Sequence, residues 1–161
     1  MSVTFNTLVV LAQLYSGIPA PTDGPSYEAL NRLEILFLEK KEIEQRVCGG
    51  TGNCDGNNIA AYLLGSTRIV ATDTCINFEE NVYCQGVLIH EMVHFLQYLN
   101  GKYRSFQKGP FDETVLCAQY IENEAQAYKA QRKFLIDNNA NVDWTIDDAL
   151  KKYSCVIPNE N

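Results

Sequence analysis

The stretch Val87-Leu-Ile-His90-Glu91-Met-Val-His94-Phe-Leu-Gln97 decides how the rest of the chain is interpreted. It contains the pattern H-E-x-x-H, and its two histidines are the only ones among the 161 residues. A shuffled sequence of this composition would place its two histidines four residues apart, with a glutamate directly after the first, in roughly one case in a thousand. Composition therefore does not explain the pattern.

The two histidines of this pattern lie one helical turn apart, so on a helix they point in the same direction. Two imidazoles in that arrangement can bind one Zn²⁺ ion. Glu91 follows the first ligand and projects to one side, where it can reach a water on the ion but cannot easily bind the ion itself. The pattern predicts a zinc site, held by His90 and His94, with its own general base.

A third ligand has to come from elsewhere, because a catalytic zinc normally takes three protein ligands and no histidine remains. A carboxylate is the natural substitute. Glu124 lies in a predicted helix at about 114–137, on a face rich in apolar residues. A buried, unpaired carboxylate is costly, so an inward Glu124 favours a cation beside it. We therefore predict Glu124 as the third ligand, with Glu122 on a more mixed face as the alternative.

The hydrophobic pattern predicts an α+β fold in one domain over residues 1–161, with the active-site helix and the Glu-bearing helix packed against a small β-sheet or hairpin. The predicted elements are a helix at 4–16, a linker at 19–25, an extended piece at Ser26–Ala29, a helix from Asn31 to about Val47, a hairpin of Ile59–Leu64 and Arg68–Ala71, a helix from Glu80 or Gln85 to Asn100, the helix at 114–137, and a short helix started by Thr145.

Composition and charge exclude two classes of function. The net charge of −7 argues against nucleic-acid binding, because no basic surface would neutralise phosphates. No run of 18 apolar residues exists, so we predict no membrane span. The sequence does not indicate an oligomeric state.

Six cysteines are many for an intracellular domain of this size, and 15 pairings are possible. No C-x-x-C occurs, which disfavours a structural zinc bound by thiolates. We predict disulfides and hence an oxidising compartment, with the protein secreted or periplasmic, although no clear signal peptide is present. Local spacing favours the pairs Cys48–Cys54, Cys75–Cys84 and Cys117–Cys155.

The combination of His90-Glu-Met-Val-His94 with the later Glu124-Ala-Gln-Ala-Tyr128 resembles the gluzincin metallopeptidases. Over roughly residues 5–136 the chain is most similar to small, minimal gluzincin-type proteins of bacteria or phages. The resemblance implies a zincin-like fold and zinc bound by two histidines and a glutamate. It also implies a short sheet whose edge strand, here Arg68–Ala71, lies above the active-site helix. An extended peptide could pair with that edge.

These observations predict a zinc metallopeptidase, an endopeptidase that acts on a peptide or protein substrate. Two alternatives remain open: a non-catalytic, zinc-stabilised interaction or inhibitory domain, and an amidase for cell-wall amides. The chain lacks the second domain and the additional histidine that larger gluzincins use to stabilise the oxyanion. Tyr98 and Tyr128 could substitute for that histidine, although packing in the core is the simpler interpretation of each.

Overall fold

The computed structural model describes residues 4–48, 60–102 and 113–153, apart from the side chains of 47, 48 and 113–116. Within these ranges the protein contains six α-helices and one three-stranded sheet, which agrees with the predicted α+β class. The elements are α1 (Phe5–Ser16), α2 (Gly24–Asn31), β1 (Glu34–Leu38), α3 (Lys40–Cys48), β2 (Ala60–Tyr62), β3 (Arg68–Thr72), α4 (Val82–Leu99), α5 (Glu113–Asp137) and α6 (Ile146–Leu150).

The sheet has the strand order β1-β3-β2, with β1 parallel and β2 antiparallel to β3. The predicted hairpin of β2 and β3 is therefore confirmed. The expectation that Arg68–Ala71 is an edge strand is wrong, because β3 has a partner on each side. Ile69, Val70 and Ala71 are fully buried, as expected for a central strand with apolar residues on both faces. Among the described strands, β2 is the edge strand that contacts α4.

The segment predicted as extended at Ser26–Ala29 lies instead in helix α2. Asp23 precedes this helix and Pro25 occupies its first turn. Proline is favoured there because its fixed φ suits a helix and its missing N–H would have had no intrahelical partner. The sequence signal for a linker is therefore also a signal for the start of a helix.

The single helix predicted from Asn31 to about Val47 is wrong over its first part. Residues Glu34–Leu38 form β1 and pair in register with β3, and only α3, from Lys40 onward, is helical. The run Ile-Leu-Phe-Leu at 35–38 is continuously apolar and suits a strand packed in a sheet. Ile43 of α3 is fully buried, as predicted.

Helix α4 carries the H-E-x-x-H pattern through the centre of the molecule. It begins after Asn81, whose side chain accepts from the backbone N–H groups of Tyr83 and Cys84. It ends before Gly101, which adopts φ 78° as predicted for the residue that follows a helix. Thirteen of its eighteen residues are buried, so α4 is surrounded on most sides, chiefly by α5, α1 and β2.

The two helices that bear the predicted ligands approach closely at Gly86. A methyl group added there would lie 2.9 Å from Cδ2 of Leu135 on α5. The absence of a side chain at this position therefore lets α5 pack tightly against α4.

The disulfide Cys75–Cys84 is present as predicted and ties the segment before α4 to the first turn of that helix. Cys117 is also disulfide-bonded. The predicted pairs Cys48–Cys54 and Cys117–Cys155 involve side chains outside the described residues. In the described ranges, no helix combines the length and apolar character needed to cross a bilayer.

Candidate metal centre

Three predicted ligand side chains meet in the core between α4 and α5. His90 and His94 project from α4, and their Nε2 atoms are 3.0 Å apart. Glu124 of α5 faces both rings: its Oε1 is 3.2 Å from His94 Nε2, and its Oε2 is 3.5 Å from His90 Nε2. All three residues are buried, with 6–7% of their surface exposed. This buried group could bind a metal ion.

The spacing of these donor atoms suits a small divalent ion. Two donors about 2.1 Å from a tetrahedral ion are separated by about 3.4 Å. The observed separations are 3.0, 3.2 and 3.5 Å, and the two contacts of Glu124 involve different oxygens. With one donor atom from each residue, all three atoms lie within 4.8 Å of one another. An ion could therefore bind among them once the side chains adjust.

The charge of the group also favours a cation. Glu91 and Glu124 are both buried, and no lysine or arginine within the described ranges pairs with either carboxylate. Oε2 of Glu124 is buried and accepts no hydrogen bond from that part of the chain. Burying such atoms without a partner is costly, and a divalent ion would remove that cost.

Glu124 and His94 each affect the pKa of the other. Burial opposes ionisation of Glu124, but the adjacent His90 and His94 outweigh it and hold the pKa of this carboxyl well below its usual range. Burial lowers the pKa of His94, but Glu124 and Glu91 outweigh burial and the net shift is upward. Glu124 is therefore a carboxylate at neutral pH, the form that binds metals.

Glu91 lies in the same buried region but is held by a different element. Its Oε2 accepts a 2.8 Å hydrogen bond from the backbone N–H of Tyr62 on strand β2. The carboxylate is thus anchored beside the site through one oxygen. Its position, one residue after the first histidine, leaves Oε1 for contact with a water or a substrate.

The two histidine rings are supported differently. Nδ1 of His94 is 2.9 Å from Oε1 of Gln97, which is completely buried. Nδ1 of His90 is also buried but has no hydrogen-bond partner in the described part of the chain. The ring of His90 packs instead against Tyr128, with 4.4 Å between ring centroids. The two rings share the contact between their Nε2 atoms, but among the described residues only His94 has a hydrogen-bond partner at Nδ1.

Several tyrosines line the side of the site formed by α5. The hydroxyls of Tyr128 and Tyr153 are 3.4 Å apart, and the ring of Tyr153 packs against Tyr120. Burial and the nearby Glu124 charge raise the pKa of Tyr120 and Tyr153. These phenols therefore stay protonated and can act as hydrogen-bond donors. Tyr98, the other tyrosine considered from sequence, packs against Tyr62 away from this cluster.

The three predicted ligand side chains lie on the faces expected from the sequence, but their supports were not predicted. Glu124 belongs to the buried group, whereas Glu122, the alternative, is exposed. No role for Gln97 was predicted from the sequence. Its position three residues after His94, on the same helical face, was the signal that could have identified the contact. No sequence signal links Glu91 to Tyr62.

Comparison with known proteins does not extend this description. No protein-family model, curated protein or solved structure matches the chain. The site is therefore interpreted from its own geometry and chemistry.

Proposed function

We propose that the protein is a zinc-dependent hydrolase of amide bonds and that it acts as a peptidase. The observation that carries this proposal is the buried cluster of His90, His94 and Glu124, with Glu91 fixed beside it. A set of two imidazoles and one carboxylate is typical of catalytic zinc, because it leaves one coordination position open. A structural zinc normally has four protein ligands, and the described residues offer three.

The proposed chemistry divides between the ion and the chain. A zinc ion bound there would polarise the substrate carbonyl and lower the pKa of a water toward about 7. Glu91 accepts a proton from the attacking water and transfers it to the leaving amine as the amide C–N bond breaks. The hydrogen bond from Tyr62 keeps the Glu91 carboxylate oriented for both transfers.

The position of β2 supports a peptide as the substrate. β2 is one of the two edge strands, with β1 at the other edge, and the backbone N–H of its residue Tyr62 donates to Glu91, the proposed general base. Because Glu91 already uses this N–H, an extended peptide would pair with the other outward-facing backbone groups of β2. Such a peptide would run past Glu91 and the proposed zinc ligands. We therefore assign to β2 the role that the sequence suggested for Arg68–Ala71.

The decisive experiment compares the wild type with Glu91→Gln and with the matched control Glu122→Gln, whose side chain is exposed. Glutamine at 91 can still accept from Tyr62 but cannot take a proton. We expect about one zinc per chain in all three proteins. Cleavage of a peptide library should be equal in the wild type and the control, and roughly 10²–10⁴-fold slower in Glu91→Gln.

Two outcomes would reject parts of this proposal. Full activity of Glu91→Gln would exclude Glu91 as the base. Stoichiometric zinc without cleavage by the wild type, of peptides or of peptidoglycan crosslinks, would favour a non-catalytic zinc domain. Cleavage of the crosslinks alone would identify a cell-wall amidase.

We also infer that the protein functions in an oxidising compartment, as a secreted or periplasmic protein would. The Cys75–Cys84 disulfide supports this inference, since such bonds are rare where thiols are kept reduced. Thiol labelling of the protein from its native source would test it. Labelling of both cysteines without prior reduction would contradict it.

A further inference from the structure

We propose that Gln97 is a positioning residue that keeps the lone pair of His94 on Nε2, the nitrogen that faces the metal site, by means of a hydrogen-bond chain that ends on two backbone carbonyls. The inference rests on the metal centre of the proposed function. It does not depend on which bond the protein cleaves.

The hydrogen-bond chain runs from the metal centre through α5 to the end of α1. Oε1 of Gln97 is 2.9 Å from Nδ1 of His94. Nε2 of Gln97 donates to the backbone carbonyl of Asn123 at 3.0 Å and to Oε1 of Gln126 at 3.1 Å. Nε2 of Gln126 in turn donates to the carbonyl of Ser16, the last residue of α1, at 3.2 Å.

The backbone carbonyls of Asn123 and Ser16 determine which atom donates in each of these hydrogen bonds. A carbonyl oxygen can only accept, so Gln126 must present its NH₂ group to Ser16 and its oxygen to Gln97. Gln97 must then present its NH₂ group to Gln126 and Asn123. Its oxygen is left facing Nδ1 of His94, which must therefore carry a proton.

The proton on Nδ1 of His94 determines whether Nε2 can bind a metal ion. A neutral imidazole has one protonated nitrogen and one lone pair, so a proton on Nδ1 leaves the lone pair on Nε2. Nε2 is the atom that faces His90 and Glu124. The folded chain thus selects the tautomer of His94 that can bind the ion before any ion arrives.

His90 provides an internal contrast. Its Nδ1 has no hydrogen-bond partner among the described residues, and its ring is held by packing against Tyr128. Its Nε2 lies 3.0 Å from Nε2 of His94. With the lone pair of His94 facing it, a neutral His90 in the metal-free protein donates from Nε2. A change at Gln97 should therefore reach His90 only through His94.

The first test measures imidazole ¹⁵N shifts and long-range ¹H–¹⁵N correlations in the metal-free wild type, at a pH where both rings are neutral. Only two histidines contribute signals, and His90→Gln assigns them. We expect His94 to be protonated at Nδ1. A His94 ring protonated at Nε2 overturns the proposal even if no variant is made.

Three variants test the chain itself. Gln97→Met keeps the size but removes the acceptor, so the Nδ1 proton should no longer be favoured at His94. Zinc affinity, measured by chelator competition, should fall about 10–100-fold. Gln97→Glu keeps an acceptor for Nδ1 but loses the NH₂ donor to Asn123 and Gln126. Because an acceptor still faces Nδ1, His94 should keep the wild-type tautomer. In the matched control Gln126→Met, Asn123 still orients Gln97, so the tautomer should be unchanged.

Unchanged His94 signals and unchanged zinc affinity in Gln97→Met would overturn the proposal. A change in the His90 signals with unchanged His94 signals would also overturn it, because the effect should reach His90 only through His94. If Gln97→Met does not fold, the His94 tautomer of the wild type still decides the question. None of these measurements uses a substrate, so loss of the peptidase proposal and loss of this one are distinguishable.

Discussion

Removal of one ligand should abolish most of the stabilisation that zinc gives to the folded protein. The perturbation is Glu124→Ala, with Glu122→Ala as the matched control. Both residues lie on α5 two positions apart, but Glu124 faces the histidines and Glu122 is exposed. The control loses the same carboxylate without loss of a ligand.

The magnitude follows from mass action. A zinc concentration of about 100 times Kd stabilises a folded protein by about 2.7 kcal/mol. For a chain of this size, that corresponds to a rise in Tm of roughly 5–11 °C. Structural zinc contributes about 10–16 kcal/mol over four ligands, or on the order of 3 kcal/mol for each ligand. Loss of one ligand should thus weaken binding about 100-fold.

At the same zinc concentration, Glu124→Ala would then be only half saturated. Its stabilisation should be about 0.4 kcal/mol, or a rise in Tm of roughly 1–2 °C. Calorimetric scans of each protein with zinc and with a chelator measure the difference, and each variant is compared with its own metal-free form. A full zinc-induced shift in Glu124→Ala would refute the assignment of this ligand. Loss of the shift in Glu122→Ala would refute the reasoning from burial.

Two further predictions concern pH and the disulfide. In the metal-free protein Glu124 and Glu91 outweigh burial and raise the pKa of His94, so protons compete with zinc from a higher pH than an ordinary histidine would allow. As the pH falls below the pKa of His94, zinc affinity should decrease about tenfold per pH unit for each proton that zinc must displace. Titration calorimetry between about pH 5 and 8 measures this, and an affinity that does not change with pH would contradict the prediction. Replacement of Cys75 and Cys84 by serine should lower the free energy of unfolding by roughly 2–3 kcal/mol; urea denaturation identical to the oxidised wild type would exclude a stabilising role.

Much of the helical framework could be predicted because its signals are local. The end of α1 at Gly17 and the capping box of Thr145 and Asp148 follow from a few adjacent residues. The errors at Ser26–Ala29 and at Glu34–Leu38 have a different origin. Local pattern did not decide between a strand and a helix in the second segment, and pairing with β3 made it a strand.

In the candidate site, too, some features follow from local sequence and others depend on tertiary packing. Helical geometry alone placed His90 and His94 on one face of α4, and the absence of a third histidine directed the search to Glu124. Both predictions agree with the buried cluster. The contact of Glu91 with Tyr62 spans 29 residues of sequence and depends on where β2 lies against α4. No periodicity in the chain encodes that placement.

The sequence by itself determined which groups can bind a metal and which helices bear them, because ligand type and helical phase are properties of neighbouring residues. Only the tertiary structure decided how those groups are held. The hydrogen-bond chain from His94 through Gln97 and Gln126 to Ser16 joins α4, α5 and α1. Its direction is set by backbone carbonyls, which every residue possesses and no sequence pattern distinguishes. They act on the site only because packing brings them to it.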